Sequence, residues 1–216
     1  MVRTAVIIIG GGGIGPRVVA HLPAERIVIA ADSGLDHAME LGLEVDLLVG
    51  DLDSISPDAL EAAKAAGVPI DLYPAAKDAT DLALALLTAR DAGAAHITVV
   101  AGDGGRLDHL LTGLLALADP ALADAVVEAW IGDAWVRALH GPGRAEIHGR
   151  PGELVTLAAV GGPAIGVRTE ALVYPLHDET LEPGSTRGVS NLLETTEATV
   201  SLEEGTLLIV QPEALS

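Results

Sequence analysis

Cysteine and phenylalanine are absent from this chain, and it has only two tryptophans and two tyrosines. Without cysteine there are no disulfides and no thiolate metal site, and the redox compartment stays open. Half of the 216 residues are hydrophobic, so the core must be aliphatic, built from Ala, Val, Leu and Ile. Positive charge is also scarce. Twelve Lys and Arg face 31 Asp and Glu, for a formal net charge of −19. That excludes a phosphate-backbone binder, which needs a basic patch for counterion release, so nucleic acid is not a partner. Most of these carboxylates serve solubility. Long apolar runs are missing too. The opening "TAVIII" breaks into glycines and is too short to cross a membrane, so the chain reads as soluble and cytoplasmic.

The length suits one large domain or two modest ones. The first half alternates between strands and helices. "TAVIII" (4–9), "RIVIAA" (26–31), "VDLLVG", "PIDLYP" and "HITVVAG" read as strands. "SPDALEAAKAAG" (56–67) reads as a helix with Ser56 at its N-cap, Pro57 in its first turn and Gly67 past its end. "ATDLALALLTARDAG" (79–93) and "RLDHLLTGLLALAD" are further helices. This alternation predicts an α/β fold with a mainly parallel sheet and helices on both faces. After Gly141–Arg144 the pattern becomes short strands and turns. The expected organisation is an α/β catalytic domain over residues 1–140 and a smaller all-β sandwich over 144–216.

"GGGGIG" (10–15) contains the glycine spacing of a dinucleotide fingerprint, with Asp32 closing the next strand. Four consecutive glycines satisfy many patterns, and "PRVVAHL" is a short crossover, so a turn at the sheet edge or a nucleotide-approach loop competes with that reading.

In an open α/β sheet, ligands bind beyond the carboxyl ends of the strands. This chain sends acid to that edge repeatedly: Asp32 after the second strand, Asp51 and Asp53 after the third, "KDATD" after the fourth and "GDGGRLDH" after the fifth. Asp51 and Asp53, two apart, converge if the backbone is extended. Asp78 alone reads as a helix N-cap. Carboxylates without cysteine suit a hard cation, Mg²⁺, which keeps waters and bridges to phosphates. Lys77 and Arg106 would then neutralise phosphoryl oxygens, and Gly104 and Gly105 would admit a phosphate to the backbone. His109 fits an orienting role or an ordinary helix position. No Walker A sequence is present.

Five segments in this order, "ADSG" (31–34), "GDLDSI" (50–55), "KDATD" (77–81), "GGRLDH" (104–109) and "GVSN" (188–191), resemble the thiamine pyrophosphokinases. The resemblance covers most of the chain. It implies transfer of a diphosphoryl group from ATP to the hydroxyl of thiamine, with Mg²⁺, giving thiamine diphosphate and AMP. It also implies an α/β catalytic domain followed by a β-sandwich, in a homodimer that holds thiamine between subunits. Carried over, Asp51, Asp53 and Asp81 become the metal carboxylates. Asp108 would orient or deprotonate the attacking hydroxyl, and Arg106 would bind phosphate. Asp32, Lys77, Asp78, Thr80, Gly104 and Gly105 fall at the nucleotide site, and Ser190 and Asn191 at thiamine. Ser33, Leu35 and Gly113 depart from the family pattern, the first two by placing bulk near the site and the third by removing a polar contact. A related enzyme with another acceptor, or a silent nucleotide-binding module, stays open on these residues.

Overall fold

The computed structural model describes residues 3–74 and 79–216. Contacts divide the chain into two units: Met1–Ala116 with Ala129–Gly132, and Leu117–Glu128 with Asp133–Ser216. The boundary read from the sequence at Gly141–Gly143 therefore lies inside the second unit.

In the first unit, five strands run parallel: β1 (Arg3–Ile9), β2 (Ile27–Ala31), β3 (Leu47–Gly50), β4 (Ile70–Leu72) and β5 (Ala94–Ala101). Their spatial order is β5-β1-β2-β3-β4. The chain therefore steps outward from β1 to β4, then jumps back to the other side of β1. Right-handed crossovers put α1 (Gly34–Glu40) and α2 (Pro57–Ala66) on one face and α3 (Asp81–Asp91) on the other. The packing agrees. Leu35 of α1 and Ala59 and Ala63 of α2 share a core with Ala30 and Leu48. On α3, Leu82, Ala85, Leu86 and Ala89 are buried over β5, β1, β2 and β3. Each fully buried Leu or Ile contributes ~1.5–3 kcal/mol relative to exposure, and with no Phe these residues supply most of the driving force.

Local chemistry sets the helix ends. Ser56 caps α2 by accepting from the Ala59 N–H at 3.3 Å, with Pro57 in the first turn and Gly67 after the last. The cap of α3 is Thr80, whose hydroxyl accepts from the Ala83 N–H at 3.2 Å. The N-cap role expected of Asp78 therefore falls to Thr80, because the helix begins at Asp81, and Asp78 itself lies outside the described residues. The "PRVVAH" segment forms a 3-10 turn (Pro16–His21) rather than an α-helix. A dinucleotide fingerprint needs a helix N-terminus there, and this chain lacks one at that point. The glycines pack instead. A Cβ on Gly102 would lie 2.0 Å from the Gly12 carbonyl oxygen, so the loops after β1 and β5 touch backbone to backbone.

A fourth helix, α4 (Leu107–Leu117), is followed by two strands that the sequence reading did not register, β6 (Val126–Ile131) and β7 (Ala134–His140), joined by Gly132–Asp133. The second unit is a sandwich. One sheet holds β7, β9 (Leu154–Ala159), β12 (Asn191–Leu192) and β14 (Thr206–Gln211). The other holds β8 (Gly143–His148), β10 (Ala164–Glu170), β11 (His177–Leu181) and β13 (Glu197–Leu202). Alternate residues from both sheets, among them Ile147, Leu157, Val167, Val200, Leu207 and Ile209, form one buried core. The expected α/β region followed by a β-sandwich is the observed fold class.

Candidate active site

Strand register builds the site. Ile9 pairs with Ala31, and Ala31 with Val49, so β1, β2 and β3 end side by side. β5 ends at Ala101 alongside them. The point where strand order reverses, between β1 and β5, is where an open parallel sheet leaves a crevice. A cavity of about 730 Å³ opens there, lined by Gly10, Gly11, Gly104 and Gly105 from the two glycine loops, with acids from β2, β3 and α3 around it. Its volume is that of a small-molecule site.

Asp32 leaves β2 in the left-handed region, at φ +50. Its N–H donates to the Val49 carbonyl at 2.9 Å, and its own carbonyl accepts from the Leu35 N–H at 3.0 Å. Asp51 and Asp53 do converge, but by a different route from the extended alternation expected of them. The strand stops at Gly50, Leu52 turns to φ +67, and the Asp53 N–H reaches back to Asp51 Oδ1 at 3.4 Å. This is an aspartate turn. The Leu52 side chain packs against the core below, which pins the turn while both acids face outward. Gly50 sits at φ +143, where a Cβ would come within 3.1 Å of Asp81 Oδ1 and 3.2 Å of Asp32 Cβ, so only glycine lets these acids draw together.

Carboxylate oxygens of Asp32, Asp51 and Asp53 lie within 4.8 Å of one another. The geometry thus groups Asp32 with the pair, while Asp81, expected in the metal set, lines the cavity at the first turn of α3. Crowding raises the pKa of Asp53 above its ordinary value, chiefly through the charge of Asp51, with burial, Asp32 and Asp81 adding to it. Asp32 Oδ1 is buried and has no partner among the described residues. An all-oxygen donor set, mutual repulsion and one open buried oxygen fit a hard divalent cation.

Arg106 and Asp108 form a fork, Nη2 to Oδ2 at 2.6 Å and Nε to Oδ1 at 3.1 Å, on exposed side chains. Hydrogen bonding from Arg106 holds the Asp108 carboxyl down at about 2. Arg106 lines the cavity beside His109. Thr80 also lines it, its hydroxyl oxygen serving as the cap of α3. Lys77, like Asp78, lies outside the described residues. Of the departures, Ser33 and Gly113 line the cavity, but Leu35 is 2% exposed and belongs to the core, so it adds no bulk to the site.

In the second unit, Ser190 is exposed at φ +57, its N–H donating to Thr156 Oγ1 at 3.2 Å. Asn191 is buried and committed. Its Oδ1 accepts from the Tyr174 N–H at 3.0 Å and its Nδ2 donates to the Tyr174 carbonyl at 2.7 Å. What it presents is Tyr174, an aromatic 56% exposed that the sequence reading did not single out. Its one sequence signal is rarity, as one of two tyrosines.

The family description "Thiamin pyrophosphokinase, catalytic domain" matches residues 20–127, and "Thiamin pyrophosphokinase, vitamin B1 binding domain" matches residues 145–207. A curated thiamine pyrophosphokinase from Bacillus subtilis (strain 168) is 24% identical over 211 residues, covering 97% of this chain and 98% of its own. The crystal structure of the Bacillus subtilis thiamine pyrophosphokinase superposes with a TM-score of 0.84 over 97% of this chain and 98% of its own, at 24% identity. That from Geobacillus thermodenitrificans gives 0.81 at 25% identity over 96% of each chain. A thiamin pyrophosphokinase from Candida albicans keeps the fold at 15% identity, with a TM-score of 0.78 over 97% of this chain and 89% of its own.

Proposed function

This chain belongs to the thiamin pyrophosphokinase family and diphosphorylates thiamine; we propose that it does so with ATP as donor and Mg²⁺ as cofactor, at the cavity between the β1 and β5 loops. The observation that carries this placement is the convergence of Asp32, Asp51 and Asp53 past the carboxyl ends of β2 and β3, inside the span matched by the catalytic description. The thiamine hydroxyl oxygen bonds to the β-phosphorus of ATP and loses its proton to water or a site carboxylate, the bond from that phosphorus to the oxygen bridging to the α-phosphorus breaks, and AMP departs carrying that oxygen.

Asp32, Asp51 and Asp53 would hold the cation, with Asp81 beside them. The bound Mg²⁺ supplies charge neutralisation on the transferring phosphoryl oxygens. The glycine loops let the triphosphate lie against backbone N–H groups. Arg106 and Lys77 would neutralise phosphoryl oxygens as charge builds in the transition state. Asp108 forks with Arg106 and would fix its guanidinium, or orient or deprotonate the attacking hydroxyl as the resemblance implies.

The second unit holds thiamine through the segment containing Ser190 and Asn191. Asn191 acts through Tyr174, whose exposed ring offers a flat face to the cationic thiazolium. A homodimer is supported by α4, where Leu107, Leu111 and Leu115 form an exposed apolar stripe on an otherwise acidic chain. No helix among the described residues is long and apolar enough to cross a membrane, and use of ATP supports a cytoplasmic place.

The test is product analysis with ATP, Mg²⁺ and thiamine. One AMP and one thiamine diphosphate should appear per turnover, with AMP release dependent on thiamine and stopped by EDTA. AMP release that ignores thiamine would point to another acceptor. No AMP under any condition would leave the nucleotide site without its chemistry.

A further inference from the structure

The hydroxyl of Ser54 donates to Asp32 Oδ2. Ser54 lines the cavity, and neither its place in "GDLDSI" nor its residue type had marked it for a role. The contact joins the loop after β3 to the end of β2, 22 residues apart in the chain, so it is more than a local turn bond.

Asp32 is already held at its backbone by Val49 and Leu35, and its left-handed φ fixes where its Cβ points. The remaining freedom is rotation of the carboxylate. Ser54 engages one oxygen, and the other, Oδ1, is the buried atom with no partner among the described residues. Asp32 belongs to the trio whose oxygens lie within 4.8 Å of one another. A neutral donor suits this place, because it fixes a ligand's orientation without cancelling the charge that attracts a cation. A lysine or arginine here would do the first and undo the second.

We infer that Ser54 is a positioning residue, which turns Asp32 so that Oδ1 faces the cation bound by Asp51 and Asp53. This rests on the divalent-cation reading of that site.

The test is Mn²⁺ binding to the nucleotide-free protein, followed by the electron paramagnetic resonance signal of free Mn²⁺. Ser54→Ala should weaken the tight site about 10-fold, the lower end of what loss of an outer-shell partner costs. Ser54→Thr, which keeps the hydroxyl, should restore affinity to within about twofold. In an Asp32→Asn background Ser54→Ala should have no further effect, since the group it orients is no longer a ligand. Wild-type affinity in Ser54→Ala would overturn the positioning role alone. Equal weakening by Ala and Thr, or an undiminished effect of Ser54→Ala beside Asp32→Asn, would overturn it as well. A wild-type protein without a tight Mn²⁺ site would overturn the cation reading itself, and the role of Ser54 with it.

Discussion

At the carboxyl edge of the first unit, three carboxylates crowd within 4.8 Å, and Asp32 Oδ1 is buried without a partner among the described residues. In the second unit, the fully buried polar residues Thr169, Asn191 and Gln211 are matched. Thr169 Oγ1 accepts from the Leu176 N–H at 2.8 Å, Gln211 Nε2 donates to the His148 carbonyl at 3.0 Å, and Asn191 holds both backbone groups of Tyr174. Its two buried nitrogens without partners among the described residues, Arg137 Nε and His140 Nε2, sit on one strand with ordinary backbone. Under the proposed function the two units do different work. The first leaves charge for a cation and phosphates to neutralise. The fully buried polar groups of the second hold a scaffold, and its proposed ligand contact is the exposed ring of Tyr174.

The sharpest way to break this contrast is to remove a charge from the first unit. Asp51→Asn or Asp53→Asn should cut turnover to below about one thousandth, the upper scale for loss of a preorganised electrostatic group. The melting temperature should hold or rise, because repulsion is relieved. Ordinary Mg²⁺-dependent rates in either variant would remove the acids from the site. Next in size is Lys77→Ala, expected to lower kcat about 10²–10³-fold, while Lys64→Ala, on the exposed tail of α2, leaves kcat unchanged. Equal rates for the two would return Lys77 to surface charge.

The second unit should respond in stability first. Asn191→Ala strands the backbone groups of Tyr174 and should cost ~1–3 kcal/mol in denaturant unfolding, with a raised KM for thiamine. Unchanged stability would mean that the asparagine is not the scaffold element described. The smallest effect is a titration shift, read at Asp108 in Arg106→Gln. The folded-state pKa of Asp108 is depressed to about 2, so whatever the fork adds to stability is present above the ordinary carboxylate range and lost as pH falls toward 2. Carbon-detected NMR titration should show the Asp108 carboxyl moving up toward its ordinary value in the variant. An unmoved titration would show that the fork does not form in solution.

The legible parts were those decided by neighbours in the chain. Ser56, Pro57 and Gly67 bound α2 because capping is chemistry within one turn, and the glycine-acid segments marked the sheet edge because strand ends are punctuated locally. β6 and β7 were missed, although "VVEAWIGDAWVRAL" has two β-rich runs about a two-residue Gly-Asp link, a usable hairpin signal. Other features depend on register. That Asp32 joins Asp51 and Asp53, that Ser54 reaches Asp32 and that Asn191 serves Tyr174 all follow from strands placed side by side, which spacing along one chain does not encode. The convergence of Asp51 and Asp53 has a geometry other than the expected one, since a turn anchored by the half-buried Leu52, not an extended strand, brings them together.

The most direct measurement is paramagnetic broadening of backbone amides by substoichiometric Mn²⁺. With 31 acids on the chain, a cation has many weak places to go. Broadening should be confined to residues near Asp32, Asp51–Ser54 and Asp81 and abolished by Asp51→Asn, with the second unit's amides untouched. Broadening spread evenly over acids of both units, or indifferent to Asp51→Asn, would contradict the cation reading of that site.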